Sequence, residues 1–270
     1  FIASALATMA VAANGQTIKY PQAPKGGTVD EYYGVKVADP FRPLEDDTCA
    51  ATAAWVDAEN KVTNAYLAKI PQRAKYLKRL KQMVNYEKVY TPFEKNGKWY
   101  IYKNDGMQNQ AVLYQMDRLG GPMRVFLDPN KLSEDGTVAL KNISFSNDGR
   151  YFAYVISRNG SDWEEIYVMD VNTGKLLDDH IVWAKFTGTE WQGDGFYYSA
   201  YDAPEKGKET SAKNEVQKVY YHKMGTPQSQ DVLYYQNPAH PLRFYGVSVN
   251  KEETMMFLTE AGMDQGTNLY

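Results

Sequence analysis

The chain has 270 residues, a formal net charge of −3 and a hydrophobic share of 43%, which is enough apolar side chain for a packed core. The slightly acidic balance argues against a nucleic-acid-binding protein, because such proteins normally carry a basic face. A single cysteine excludes a disulfide framework within the chain, and three isolated histidines lack the spacing of zinc ligands, so no metal site is predicted.

The start of the chain predicts a truncated secretory signal peptide over residues 1–15. Residues 1–13 are nearly all apolar or small, and residues 10–12 fit the A-x-A pattern that precedes a signal-peptidase cut. The alternative is a disordered or helical extension. The stretch is shorter than the roughly 20 apolar residues of a membrane span, so no membrane anchor is expected. The signal predicts a periplasmic or secreted protein, with a cytoplasmic protein as the alternative.

Two helices are predicted within residues 16–88, after a stretch rich in proline and glycine. Apolar residues at spacings of three and four over residues 51–70 predict the first helix. Asp47 or Thr48 is its expected N-cap, since short polar side chains satisfy the free amides of a first turn. The second helix is predicted over residues 72–86.

From about Phe93 the pattern changes to short aromatic strands separated by turns that contain glycine, aspartate and asparagine. An apolar residue followed by tyrosine recurs at spacings of 53, 53 and 50 residues, at Leu113-Tyr114, Ile166-Tyr167, Val219-Tyr220 and Leu269-Tyr270. A period near fifty is typical of β-propeller blades. The sequence therefore predicts a mainly β fold in which residues 89–270 form about three and a half blades.

A propeller of this size is incomplete, because closed propellers have four to eight blades. The last apolar-tyrosine pair also ends the chain at Tyr270, where a strand would present an unpaired sheet edge. The expectation is that the chain is a fragment of a longer protein.

The residues alone carry no catalytic motif. The chain contains no G-x-S-x-G nucleophile elbow, and it contains no P-loop or G-x-G-x-x-G stretch, so no cofactor is predicted. The histidines are too scattered to suggest a Ser-His-Asp triad. Asp-Gly turns at residues 148–149 and 194–195 lack the ordered oxygen ligands of a calcium loop and are predicted to be hairpin turns.

Several long stretches match one known family, in order and without a large gap from about Tyr20 to Tyr270. They lie at residues 32–46, 55–60, 108–114, 125–130, 132–140, 145–149, 160–163 and 218–222. The chain thus resembles the prolyl oligopeptidase family of serine peptidases. It resembles the prolyl endopeptidase branch more than the dipeptidyl peptidase or oligopeptidase B relatives.

The resemblance implies an α/β-hydrolase domain capped by a seven-bladed propeller. Residues 16–88 would then belong to the hydrolase domain, and residues 89–270 would be part of the propeller. The implied enzyme hydrolyses short peptides after proline through a triad beyond residue 270, and the propeller limits access to it. The implied partners are short proline-containing peptides and the protein's own C-terminal hydrolase domain. The full-length protein is expected to be a monomer.

The resemblance also implies an apolar substrate-binding subsite lined by Phe186, Phe244 and Met263. The alternative is that all three belong to the cores of blades. Asp162 and Trp163 lie on a predicted turn between strands and are candidates to face the catalytic domain.

Two other functions stay open at this stage. One is a non-catalytic propeller that binds a protein partner through its loops. The other is a sister peptidase with a different primary specificity, such as cleavage after basic residues. A downstream reading frame with a G-x-S-x-G motif, followed by Asp and His, separates the peptidases from the binding module.

Overall fold

The computed structural model describes residues 18–46, 48–262 and 266–270. The predicted signal segment, Asp47 as a helix cap and Met263 as a subsite residue therefore lie outside the described residues. Contacts divide the chain into two compact units, Phe1–Tyr76 and Leu77–Tyr270. The domain boundaries at residues 15 and 88 stay predictions. No helix within the described residues is long and apolar enough to cross a membrane.

The first unit contains a β-hairpin. Its strands are β1, Thr28–Tyr32, and β2, Val35–Asp39, which pair antiparallel. The two residues between them, Tyr33 and Gly34, have φ angles of 51° and 82°. Left-handed backbone at both positions matches the twist of the flanking strands, which is why tight hairpins use it.

Two helices follow close to the predicted positions: α1, Ala50–Ala68, and α2, Arg73–Val84. The expectation of a Thr48 cap is wrong, because the N-cap residue is Cys49 and it makes no side-chain cap bond. The Thr48 hydroxyl donates instead to Asp46 Oδ1 at 2.7 Å, and the Thr48 amide donates to the same oxygen at 3.0 Å. The Thr48 hydroxyl is therefore bonded within an aspartate turn that precedes the helix, and it does not cap the first helical turn.

The second unit begins within α2 and continues with a sheet that we call the first blade. Its strands are β3 (Lys88–Val89), β4 (Phe93–Lys95), β5 (Lys98–Asn104), β6 (Val112–Met116) and β7 (Met123–Leu127). They run antiparallel in the order β3-β5-β6-β7, and β4 also pairs with β5.

The next eight strands form two four-stranded blades. The second blade comprises β8 (Val138–Phe145), β9 (Tyr151–Arg158), β10 (Glu164–Asp170) and β11 (Leu176–Ala184). The third comprises β12 (Glu190–Gln192), β13 (Gly195–Ala200), β14 (Lys218–Lys223) and β15 (Val232–Gln236). Their sheets are joined by the residue pair Ala184 and Ala200, where β11 meets β13.

A fourth, three-stranded blade consists of β16 (Phe244–Val249), β17 (Met256–Ala261) and β18 (Asn268–Leu269). The sheets of the described residues do not close on one another. The prediction of a mainly β fold made of about three and a half propeller blades is therefore confirmed.

Hydrophobic cores lie between neighbouring blades. Strand β9 lies between two of these cores, which explains why apolar and polar residues barely alternate in its sequence. Successive side chains of a strand point to opposite faces. Phe152, Tyr154 and Ile156 belong to the core shared with the first blade, whereas Ala153 and Val155 belong to the core shared with the third. All five are buried, so both faces of the strand select apolar residues.

Candidate functional site

The connection between β11 and β12 carries Phe186 to the surface of the second unit. Its side chain is 51% exposed, so this phenylalanine does not belong to a blade core. Its φ of 53° lies in the left-handed region, which a bulky residue rarely adopts. Strained backbone of this kind persists only where the surroundings hold it, and it clusters at functional sites.

Phe244, the first residue of β16, lies against Phe186. The ring centroids are 5.5 Å apart and the rings meet edge to face at 84°. Phe244 is half-buried, so the pair presents an apolar surface rather than a closed core. The structure thus brings together two of the three subsite residues expected from the family resemblance, although they are far apart in the chain.

Lys185 and Trp163 extend this surface. The Lys185 side chain is only 9% exposed, and its Nζ lies 5.3 Å from the Phe186 ring centroid and 5.0 Å from the Trp163 ring. The Nζ atom is also 3.7 Å from Asp162 Oδ2. An ammonium ion near two aromatic faces is stabilised by their quadrupoles. Asp162 and Trp163, singled out in the sequence, are therefore linked to Phe186 through Lys185. We call Trp163, Phe186 and Phe244 the aromatic patch.

The polar insert of residues 204–214 reaches the same patch. It contains no helix or strand. The Trp163 indole nitrogen donates to the carbonyl oxygen of Glu209 at 2.7 Å. One hydrogen bond therefore fastens the insert of the third blade to the turn that precedes β10 of the second blade.

Buried polar groups fix the backbone on both sides of Phe186. The Gln217 side-chain amide donates to the Lys185 carbonyl oxygen at 2.9 Å. On the other side, the Thr187 amide donates to Glu164 Oε2 at 3.2 Å. Burial raises the pKa of Glu164, and the Thr187 hydrogen bond partly opposes the rise. Sequence reasoning missed Gln217, because a lone glutamine before a strand carries no signal.

The histidines form no catalytic arrangement within the part of the chain that the structure describes. His222 is fully buried, with Nδ1 2.7 Å from Asp231 Oδ1 and Nε2 3.1 Å from Asp179 Oδ1, so both ring nitrogens are engaged. Exposed His180 contacts Glu165 Oε2 at 2.9 Å. No group of His, Cys, Asp or Glu in the described ranges is arranged to hold a metal ion.

Comparison with known proteins gives consistent matches along the chain. Residues 21–270 match the family model for the N-terminal β-propeller domain of prolyl oligopeptidase. The chain is 44% identical to a prolyl endopeptidase of Elizabethkingia meningoseptica, in an alignment that covers 99% of this chain and 38% of that protein. It is 34% identical to prolyl oligopeptidase A of Galerina marginata, with coverages of 88% and 37%.

Solved structures give the same picture. A prolyl endopeptidase structure is 35% identical with a TM-score of 0.62, and the match covers 93% of this chain and 36% of that one. Prolyl oligopeptidase B of Galerina marginata, bound to a 35-residue substrate, has a TM-score of 0.71 at 27% identity, with coverages of 93% and 40%. The chain thus spans less than half the length of the relatives it matches.

Proposed function

Because this chain belongs to the prolyl oligopeptidase family, we propose that it is the N-terminal part of a serine peptidase that hydrolyses short peptides after proline. The family resemblance read from the sequence is confirmed by the match over residues 21–270. The alignment to a prolyl endopeptidase along 99% of the chain supports the activity of the whole protein.

In this proposal the propeller binds and admits substrate, and a hydrolase domain encoded beyond Tyr270 supplies the Ser-His-Asp triad. The partners are short proline-containing peptides and that hydrolase domain, and the full-length protein is a monomer. We further propose a periplasmic or secreted location, which the A-x-A pattern of residues 10–12 supports.

One observation carries the role of this chain: Phe186 is 51% exposed in a strained backbone and meets Phe244 edge to face. A partner that covers an exposed aromatic side chain gains free energy, because apolar area is removed from water. Short peptides with apolar side chains are suitable partners, since their burial against the two rings removes apolar area from water. Met263 completes the subsite in this proposal.

The first test is to express the complete reading frame that contains this chain and to assay a chromogenic Gly-Pro substrate. Turnover is expected, and a serine-directed phosphonylating inhibitor should abolish it. Residues 18–270 alone should show none. A folded full-length protein without turnover would favour the binding module, and cleavage after basic residues but not after proline would favour the sister peptidase.

The second test is Phe186→Ala in the full-length enzyme. The ratio of kcat/KM between peptides with phenylalanine and with glycine on the N-terminal side of proline should fall about tenfold, which corresponds to about 1.4 kcal/mol of lost apolar contact. Turnover of the glycine peptide should change little. Phe257→Ala is the matched control, because Phe257 is also partly exposed, at 37%, but lies outside the aromatic patch. Equal losses in both variants would contradict the assignment of the subsite.

A further inference from the structure

Gln217 lies immediately before β14 and joins the two segments that carry the phenylalanine pair. Its side chain is fully buried. The amide nitrogen donates to the carbonyl oxygen of Lys185 at 2.9 Å, and the amide oxygen accepts from the backbone nitrogen of Tyr245 at 2.7 Å. Lys185 precedes Phe186 and Tyr245 follows Phe244, so one planar group holds the neighbours of both rings.

The position of this amide matters because the two rings come from elements that do not pair with each other. Phe186 follows β11 of the second blade, Phe244 begins β16 of the fourth, and Gln217 belongs to the third. Ser199 of the third blade adds a parallel connection: its hydroxyl donates to the Tyr245 carbonyl oxygen at 2.9 Å, and its amide donates to Thr187 Oγ1 at 2.7 Å. The third blade therefore sets the distance between the rings.

The strained backbone at Phe186 is a second reason to expect this segment to move when the Gln217 hydrogen bonds are lost. A left-handed conformation is unfavourable for a residue with a Cβ, so we expect the segment to relax once its hydrogen bonds are lost. The Lys185 carbonyl carbon is the first atom of the torsion that defines the strained φ of 53° at Phe186. Removing its buried donor also leaves that oxygen unsatisfied, which further favours rearrangement.

We propose that Gln217 is a positioning residue that holds the Phe186–Phe244 pair in register and thereby sets the preference of the enzyme for large apolar side chains upstream of proline. This inference rests on the proposed function of the pair as a substrate subsite. Gln217 does not touch the substrate in this account. It acts through the backbone at Lys185 and Tyr245.

The chemistry of the amide allows a graded test in the full-length enzyme. Leucine is similar in size but neither donates nor accepts, whereas asparagine keeps an uncharged amide on a side chain one methylene shorter, which cannot reach Lys185 and Tyr245 at once. Gln115→Leu is the matched control, because Gln115 is 2% exposed and donates to the Tyr100 hydroxyl at 2.7 Å within the first blade. It should destabilise the protein without reaching the aromatic patch.

The readout is the ratio of kcat/KM for peptide pairs that carry phenylalanine or glycine at one of the three positions before proline. Gln217→Leu should lower the largest of these ratios about tenfold, through a higher KM for the phenylalanine peptide, while kcat for the glycine peptide stays the same. Gln217→Asn should give an intermediate ratio, and Gln115→Leu should keep the wild-type ratio. An unchanged ratio in Gln217→Leu, or an equal loss in Gln115→Leu, would overturn the positioning role.

Hydrogen exchange separates this inference from the proposed function. In Gln217→Leu, the amide of Tyr245 loses its buried acceptor and should exchange at least about tenfold faster, as measured by mass spectrometry on peptides covering residues 244–249. A wild-type protein without turnover would refute the peptidase proposal, and unchanged exchange at Tyr245 would independently refute the role of Gln217. If the leucine variant does not fold, the asparagine variant decides the ratio by itself.

Discussion

Replacing His222 with leucine is expected to destabilise the propeller by about 3–5 kcal/mol, because the change removes the cation from a buried group of opposite charges. The imidazole lies between Asp179 of β11 and Asp231, with both side chains at most 5% exposed. Asp231 also accepts a hydrogen bond from the Tyr198 hydroxyl at 2.7 Å. The variant leaves two carboxylates buried without the charge that compensates them.

The same site predicts a dependence of stability on pH. Burial by itself lowers the pKa of His222, but the hydrogen bonds and negative charges of Asp231 and Asp179 outweigh it and raise the pKa. A group whose pKa is higher in the folded state contributes stability that is complete below the unfolded value, about 6.5, and is lost as pH rises through the folded value. The difference in free energy of unfolding between wild type and His222→Leu should therefore be largest near pH 6 and should become smaller in alkaline solution.

Urea unfolding at a series of pH values measures both effects, with tryptophan fluorescence, to which buried Trp191 contributes, as the signal. His180→Leu is the matched control, since His180 has a 39% exposed side chain and contacts one carboxylate. The His180→Leu change should lower the free energy of unfolding only slightly at each pH. A His222→Leu penalty that is small, or that stays constant through the alkaline range, would contradict a charged imidazole between the two blades.

Glu260→Leu is expected to destabilise the fourth blade by about 3 kcal/mol or more. Glu260 in β17 is 1% exposed. Its carboxylate contacts donors from five side chains: Asn237, Arg243, Tyr245, Asn268 and Tyr270. The Arg243 guanidinium, 3.4 Å away, has a 9% exposed side chain, so the variant removes the anion that faces a largely desolvated cation.

Low pH should reduce stability in the same way as this substitution, because it protonates the Glu260 carboxylate. Burial by itself raises the pKa of Glu260. Hydrogen bonds from Tyr270 and Asn268 and the charge of Arg243 outweigh burial, so the pKa in the folded protein lies below the usual value. The stabilisation is present above the unfolded pKa, about 4.3, and is lost as pH falls through the folded one. Urea midpoints of wild type and Glu260→Leu should therefore converge in acid.

Exposed Glu252 serves as the control for this site, because it contacts only the neighbouring Asn250 amide, at 3.1 Å, among the hydrogen bonds of the described residues. Glu252→Leu should leave the midpoint nearly unchanged at every pH. Equal midpoints for Glu260→Leu and wild type at neutral pH would show that the five donors do not depend on the carboxylate.

The histidine and glutamate sites point to a common feature of this propeller. Apolar cores join neighbouring blades, but buried polar groups connect particular residues across them. Asp179 and His222 connect the second and third blades, and Gln217 connects three blades at the aromatic patch. Apolar burial supplies most of the driving force, whereas hydrogen-bonded polar groups specify one arrangement, because a mismatched buried polar group is costly.

Local patterns predicted the elements well. The turn at residues 147–149 separates β8 from β9 as expected, and helix α1, Ala50–Ala68, lies within two residues of the predicted range. Thr48 shows the limit, since its hydroxyl bonds to Asp46 rather than capping the helix. Phe186 and Phe244 were reached only through the family resemblance. Nothing in the periodicity distinguishes an exposed phenylalanine beside a strand from a buried one.

By itself, the sequence determined where strands, helices and turns form and that the strands repeat in blades of about fifty residues. These features depend on near neighbours: the two-residue alternation of a strand, the spacing of apolar residues on a helix and the backbone freedom of turn residues. Only the tertiary structure decided which polar groups meet. His222 and Asp179 are 43 residues apart, and packing of two blades removes water from both, which turns two unremarkable positions into one buried ion pair.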